Sequence, residues 1–329
     1  MSGAHPWLVA DIGGTNARFG YVAGPGESVA HVRVLPVAKH KDPASAARAY
    51  LTQLSSELPD FAAPRSAAFA VATAVRSDQI ELTNAHWSFS RAATQKELGL
   101  DLLLMLNDFE AQALSLPRLT DAQLRHWPAP KALAASGQTM AVIGPGTGLG
   151  VGGVTPCNGI WLALPGEGGH ATLAATDDFE SALLAHVRRS YEHVSAERLL
   201  SGIGMPTLHS AVAAVLGSTN VAPLSTEQIV SQGLSAQDTV CERTLDAFCA
   251  LLGSFAGSVA LTLGARGGVY IGGGIVPRLG ERFFASRFRE CFEAKGRFQP
   301  YLEAIPTALI TDTLAALAGA TLAIEQAQR

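Results

Sequence analysis

Charge is scarce in this chain. Only 16% of the 329 residues are charged and the formal net charge is −4, so nothing draws it generally to nucleic acid or to an anionic membrane surface, and neither is expected as a partner. Cysteine is scarce too. The four, Cys157, Cys241, Cys249 and Cys291, are scattered without any Cys-x-x-Cys spacing. That excludes a zinc knuckle and a thioredoxin-like site, and free, mostly buried thiols in a reducing cytoplasm are expected. No apolar run is read as approaching the ~20 residues of a membrane span. Trp7-Leu8-Val9-Ala10 is too short for the apolar part of a signal peptide, and Asp11 ends it. The pattern Gly-x-x-x-x-Gly-Lys-[Ser/Thr] is missing, which argues against a P-loop fold.

What is plentiful is apolar side chain and glycine. The composition is 48% hydrophobic, enough for a sizeable core, and the length suggests about two domains. Three glycine-rich turns recur at wide, nearly even spacing: Asp11-Ile12-Gly13-Gly14-Thr15-Asn16, Gly144-Pro145-Gly146-Thr147-Gly148-Leu149-Gly150, and Gly272-Gly273-Gly274. Each follows a short run that reads as a buried strand, namely Trp7 to Ala10, Met140 to Ile143 and Val269 to Ile271. A strand that breaks into glycines lets bare backbone N–H groups approach an anion. Three such turns, with Asp11 and the hydroxyls of Thr15 and Thr147, imply several loops gripping one polyphosphate, ATP. The plain alternatives are an ordinary hairpin turn for the first and close helix–strand packing for the third. Gly148-x-Gly150-x-x-Gly153 matches the dinucleotide fingerprint in form only, because Val154-Thr155-Pro156 continues a strand and supplies no helix N-terminus.

Between the turns, strands and helices alternate, which predicts an α/β layer architecture. Residues 7 to 37 read as hairpin-like strands. Ala44 to Leu58 reads as a helix started by Asp42-Pro43. Ser66 to Thr73 and Leu102 to Leu106 read as buried strands, and Phe109 to Leu116 as a helix stopped by Pro117. Leu119 to Ser136, with Pro128 and Pro130, reads as a connection. Ser225 with Gln228 is a capping-box signal. Cys241 to Leu263 reads as a buried helix and Thr313 to Gln328 as a final amphipathic one.

Four polar groups stand out. Asn107-Asp108 ends a strongly apolar strand, where carboxylates commonly face a ligand crevice; an Asx turn or helix cap is the alternative. A carboxylate able to take a proton from an alcohol is what phosphoryl transfer requires. Glu167 and His170 lie in Pro165-Gly166-Glu167-Gly168-Gly169-His170, on an irregular glycine backbone suited to hydrogen bonding a polyhydroxyl ligand. Half of a metal site is the alternative, with no second half in view. Glu197 could join them, or could be a first-turn helical Glu.

Taken in order, these motifs, with His193-Val-Ser-Ala-Glu-Arg198, Leu200-Ser-Gly202, Gly272-Gly-Gly-Ile-Val-Pro277 and Lys295-Gly-Arg-Phe298, resemble bacterial glucokinase of the non-repressor type, from about residue 7 to residue 320. The cysteine-rich zinc motif and added DNA-binding domain of the related repressor-type kinases are not seen. The resemblance implies an actin-like (ribonuclease H-like) two-domain fold with the active site in the inter-domain cleft. Residues 1–110 with 312–329 would form the smaller domain and 111–311 the larger. It implies Asp108 as catalytic base and Asn107, Asp108, Glu167, His170 and Glu197 as glucose contacts. The nucleotide would be held by Asp11, Gly13, Gly14, Thr15, Asn16, Gly144, Gly146, Thr147, Gly148, Gly272, Gly273 and Gly274, with Asp11 near magnesium through water. A cytoplasmic homodimer using ATP, Mg2+ and D-glucose is the resulting expectation. A kinase for another hexose (fructose, mannose or an N-acetylated sugar), or an actin- or Hsp70-like ATPase without a sugar, remains open at this point.

Overall fold

The structure is a computed structural model that describes residues 5–75, 77–82, 86–127, 137–218 and 222–329. The chain forms two compact units. One comprises Met1–Leu119, Cys157–Pro165 and Asp312–Arg329, the other Thr120–Pro156 and Gly166–Thr311.

The first unit is built on a five-stranded sheet. Trp7–Ile12 lies at its centre, antiparallel to Asn16–Val22 on one side and parallel to Ser66–Val71 on the other. Ala30–Pro36 extends the hairpin side, and Leu102–Asn107 runs parallel to Ser66–Val71. The parallel strands are almost wholly apolar because helices cover both faces. Phe19 stacks on Tyr50 at 5.6 Å and meets Phe69 edge-on at 6.0 Å, tying the sheet to the helix Pro43–Glu57. That helix starts where the sequence predicts, with Asp42 accepting from Ser45 N–H at 2.7 Å.

The last helix, Ala315–Ala327, differs from its amphipathic expectation, since residues 319–325 are all buried. It packs against the helix Asp108–Ser115, where a Cβ on Gly319 would lie 1.7 Å from the carbonyl oxygen of Ala111. Small residues let the two backbones approach that closely, and this covers the face that periodicity alone assigns to solvent.

The second unit repeats the pattern. Met140–Pro145 is antiparallel to Leu149–Cys157 and parallel to Val269–Ile271, which is parallel to Thr307–Ile310. Leu124–His126 closes that side, antiparallel to Thr307–Ile310. This strand falls in the stretch read as a plain connection, and at three residues it is too short to carry a period. Residues 128–136 of that stretch lie outside the described residues. Leu149–Cys157 runs unbroken through Val154-Thr155-Pro156, so no helix follows the Gly148-x-Gly150 turn.

Thr239–Leu263 is the long helix, capped by Asp238, which accepts from Cys241 N–H at 2.7 Å. One expectation is corrected here: this helix is long and apolar enough to cross a membrane by length and composition, with 78% of its most apolar window buried inside the fold. Ser225 caps Thr226–Leu234 with Gln228 closing the box, as predicted. Cys241, Cys249 and Cys291 are buried, Cys157 is exposed, and all four are free thiols.

Candidate active site

In the first unit the functional side chains share one end of the sheet. Register places Ile12 beside Val71 and Val71 beside Asn107, so Asp11 and the Asn107-Asp108 pair lie at the C-terminal ends of parallel strands, where ligands of α/β sheets bind. The Asp11–Asn16 turn is a tight hairpin, closed by Gly13 N–H donating to the Asn16 carbonyl at 3.0 Å. Asp11 faces Arg18 across it and accepts from the Arg18 guanidinium at 2.8 Å.

Asn107 is the helix cap. Its Oδ1 accepts from Phe109 N–H at 2.9 Å, its Nδ2 donates to the Thr73 carbonyl at 3.1 Å, and Glu110 returns to its N–H at 3.3 Å. The capping alternative therefore holds for Asn107 and not for Asp108, which follows as the first helical residue. Asn-x-x-Glu is a capping-box spelling, the sequence signal that marks Glu110. The capped turn fixes Asp108, whose carboxylate accepts from Phe109 N–H at 3.0 Å. Burial, reinforced by the charge of Asp11, pushes its pKa up to about 6, against the lowering effect of the Phe109 N–H. A carboxylate poised there is a competent proton acceptor near neutral pH.

In the second unit the glycine turns and the Glu167, His170 and Glu197 segments interlock. Glu167 precedes a tight turn over Gly168–His170. A Cβ on Gly169 would sit 1.9 Å from the Leu149 carbonyl oxygen, and one on Gly168 would sit 2.9 Å from Cβ of Val151. These two glycines press the turn onto the strand that leaves the second glycine loop. Glu167 and His170 remain exposed. Glu197 is not helical. It lies in an irregular turn, its N–H donating to the Gly169 carbonyl at 2.8 Å, and its Oε1 lies 3.9 Å from His170 Nε2.

The three glycine loops divide by what each glycine does. Gly273, at φ +75°, would put a Cβ 2.4 Å from the Pro145 carbonyl oxygen, so it is required by the packing of the third turn on the second. Gly146 and Gly274 have nothing within 4 Å of where a Cβ would be. The fold itself does not demand glycine there. Its effect is open backbone at both turns, which is what a polyphosphate needs for close approach.

Among the described residues, Glu167 and His170 belong to no grouping of three or more metal-ligating side chains. Among the described residues, the one grouping of His, Cys and carboxylate atoms that could share an ion is His209, Asp238 and Cys241. There Cys241 Sγ lies 3.6 Å from His209 Nε2 while Asp238 caps the long helix. Burial pushes the Cys241 thiol up to about 12 and lowers the His209 imidazole, as in a packed neutral thiol–imidazole contact.

Against known proteins, a model of the family described as Glucokinase matches residues 8–327. A glucokinase of Neisseria meningitidis serogroup B is 44% identical over 321 residues, covering 98% of this chain and 95% of that protein. The bifunctional protein Glk of Burkholderia thailandensis is 46% identical over 314 residues, covering 95% of this chain and 48% of that protein, so the chain spans about half the length of the bifunctional relatives it matches. Among solved structures, a glucokinase from an Antarctic psychrotroph aligns with a TM-score of 0.90 at 36% identity, over 98% of this chain and 99% of that one. A ROK family glucokinase from Streptomyces griseus, solved with glucose and AMPPNP, aligns at a TM-score of 0.61 and 16% identity over 98% of this chain and 100% of that one, a likeness of fold.

Proposed function

This chain belongs to the glucokinase family, and on that premise we propose that it transfers the γ-phosphoryl group of ATP to the 6-hydroxyl of D-glucose. The observation that carries the proposal is Asp108: a carboxylate fixed at a strand end by a capped helix start, with its pKa pushed up to about 6. As the 6-oxygen bonds to the γ-phosphorus, Asp108 accepts the hydroxyl proton and the bridging oxygen departs with ADP. Asn107, Glu167, His170 and Glu197 bind and orient the sugar hydroxyls. The open backbone at Gly146 and Gly274, with the Gly13–Asn16 hairpin and Thr147, receives the phosphates.

Magnesium belongs to the same proposal. Asp11 offers hard carboxylate oxygens, the chemistry this ion takes. Its side chain is 20% exposed and one oxygen is engaged by Arg18, which suits contact through water. The ion, when bound, neutralises phosphate charge. We further propose a cytoplasmic homodimer, whose oligomeric state light scattering on the purified chain reads.

A coupled assay of ADP formation with and without a hexose panel tests the reaction. ADP forming only with sugar, and glucose having the highest kcat/KM, is the expected result, with 2-deoxy and 2-acetamido analogues weaker because a site built around a hydroxyl rejects ligands that lack it. Equal ADP formation without sugar would favour a partner-driving ATPase. Fructose or N-acetylglucosamine ahead of glucose would favour another hexose kinase.

A further inference from the structure

Glu197 divides its carboxylate between two neighbours. Oε2 accepts from the Leu149 backbone N–H at 2.8 Å, at the exit of the Gly144–Gly150 loop. Oε1 points toward His170 Nε2, 3.9 Å away. The loop is shaped around this contact, for a Cβ on Gly148 would lie 2.5 Å from Oε2. The glycine in the middle of the nucleotide loop therefore makes room for a carboxylate.

The segment that carries Glu197 grips the same loop again. Gly202 N–H donates to the Gly146 carbonyl at 2.7 Å and Ile203 N–H to the Thr147 carbonyl at 3.2 Å. Ser201, itself buried, ties this turn together: its hydroxyl donates to the Glu197 carbonyl at 2.7 Å and accepts from Gly204 N–H at 3.0 Å. The backbone clamps hold Gly146 and Thr147 whatever Glu197 does. Leu149 shares a buried apolar cluster with Ala196, Leu199 and Leu200 of this segment, and the Glu197 carboxylate adds the hydrogen bond to its backbone N–H.

We propose that Glu197 is a positioning residue for the nucleotide loop as well as a sugar contact, one carboxylate oxygen setting the loop through Leu149 while the other faces the sugar. This rests on the hexose-kinase reading above. A glutamine at 197 keeps a carbonyl oxygen that can accept from Leu149 N–H but loses the charge that attracts sugar hydroxyls. An alanine loses both. An alanine at 148 keeps Glu197 but pushes its carboxylate aside.

The test measures KM for ATP and for glucose in Glu197→Ala, Glu197→Gln, Gly148→Ala and His170→Ala, with amide hydrogen exchange at Leu149 in the substrate-free proteins. A hydrogen bond to a charged acceptor is worth roughly tenfold or more in an equilibrium. Glu197→Ala is expected to raise both KM values by about that factor and to speed Leu149 exchange similarly. Glu197→Gln restores the ATP KM and the Leu149 protection to within about threefold of the parent while the glucose KM stays high. His170→Ala raises the glucose KM alone, and Gly148→Ala raises the glucose KM although residue 148 lies in the nucleotide loop. An ATP KM and a Leu149 exchange rate unchanged in Glu197→Ala, or a glucose KM unchanged in Gly148→Ala, would overturn the proposal. A parent protein that phosphorylates no hexose would overturn the functional reading instead, and Leu149 exchange would still decide whether the carboxylate holds the loop.

Discussion

The two units carry the same sheet motif, a hairpin flanked by parallel strands, and treat their polar residues in opposite ways. In the first, Asp108 is partly withdrawn from water at a strand end, and its proton affinity is set by that withdrawal. In the second, Glu167 and His170 stand in solvent on turns whose shape is fixed by glycines packed against backbone. The contrast fits the different work proposed for each. Desolvation tunes a group that must exchange a proton, whereas recognition of hydroxyls needs exposed donors and acceptors on rigid backbone.

The comparison breaks most directly at Asp108. Asp108→Asn keeps shape and removes the proton acceptor, so turnover should fall about 10²–10⁴-fold with glucose affinity changed much less. The same variant should be more stable than the parent at pH 8. The native carboxylate has its pKa raised from 3.8 to about 6, so its contribution to stability is present below the unfolded value and is lost as pH rises to about 6. Asparagine does not suffer that loss, and a gain on the order of 1–3 kcal/mol in urea unfolding at pH 8, vanishing below about pH 4, is the expectation. Near-normal turnover would move the catalytic role to another residue, with Glu167 the first to test.

Glycine substitutions sharpen the other side. Gly169→Ala must displace the Glu167–His170 turn, because its Cβ would lie 1.9 Å from the Leu149 carbonyl oxygen. A stability loss of about 1–3 kcal/mol is expected, with kcat/KM for glucose lowered on the order of tenfold. Gly274→Ala, with open space around it, should leave the unfolding midpoint nearly unchanged and raise the ATP KM a few-fold. Equal stability losses at 169 and 274 would remove the distinction between glycines needed by the fold and glycines that leave backbone open.

The smallest effect is at the cap. Asn107→Ala should cost about 1 kcal/mol of stability through the helix start, and Asn107→Asp, which keeps the cap but meets the Thr73 carbonyl with an acceptor in place of the donating Nδ2, should cost a comparable amount.

The strands that end in glycine turns were legible, because apolar runs and glycine act over a few adjacent residues. So were the starts at Asp42-Pro43 and Ser225. What escaped depends on residues far apart in the chain. Glu197 reads locally as a ligand contact or as a first-turn helical residue, and the irregular turn it occupies, with its N–H and carboxylate bonded to Gly169 and Leu149, is invisible to the local sequence. Residues 313–328 read as an amphipathic helix until Gly319 is seen against Ala111. Asn107 and Asp108 could each have been the cap by composition. Only the backbone path, with Asn107 extended and Asp108 helical, separates their roles.

The central claim, that a partly desolvated Asp108 is the base, is tested most directly by the pH dependence of kcat/KM for glucose at saturating ATP. The account predicts a tenfold fall per pH unit on the acid side with a midpoint near the value of about 6 carried by Asp108. A profile that stays flat down to the ordinary carboxylate range, near pH ~4, would contradict it.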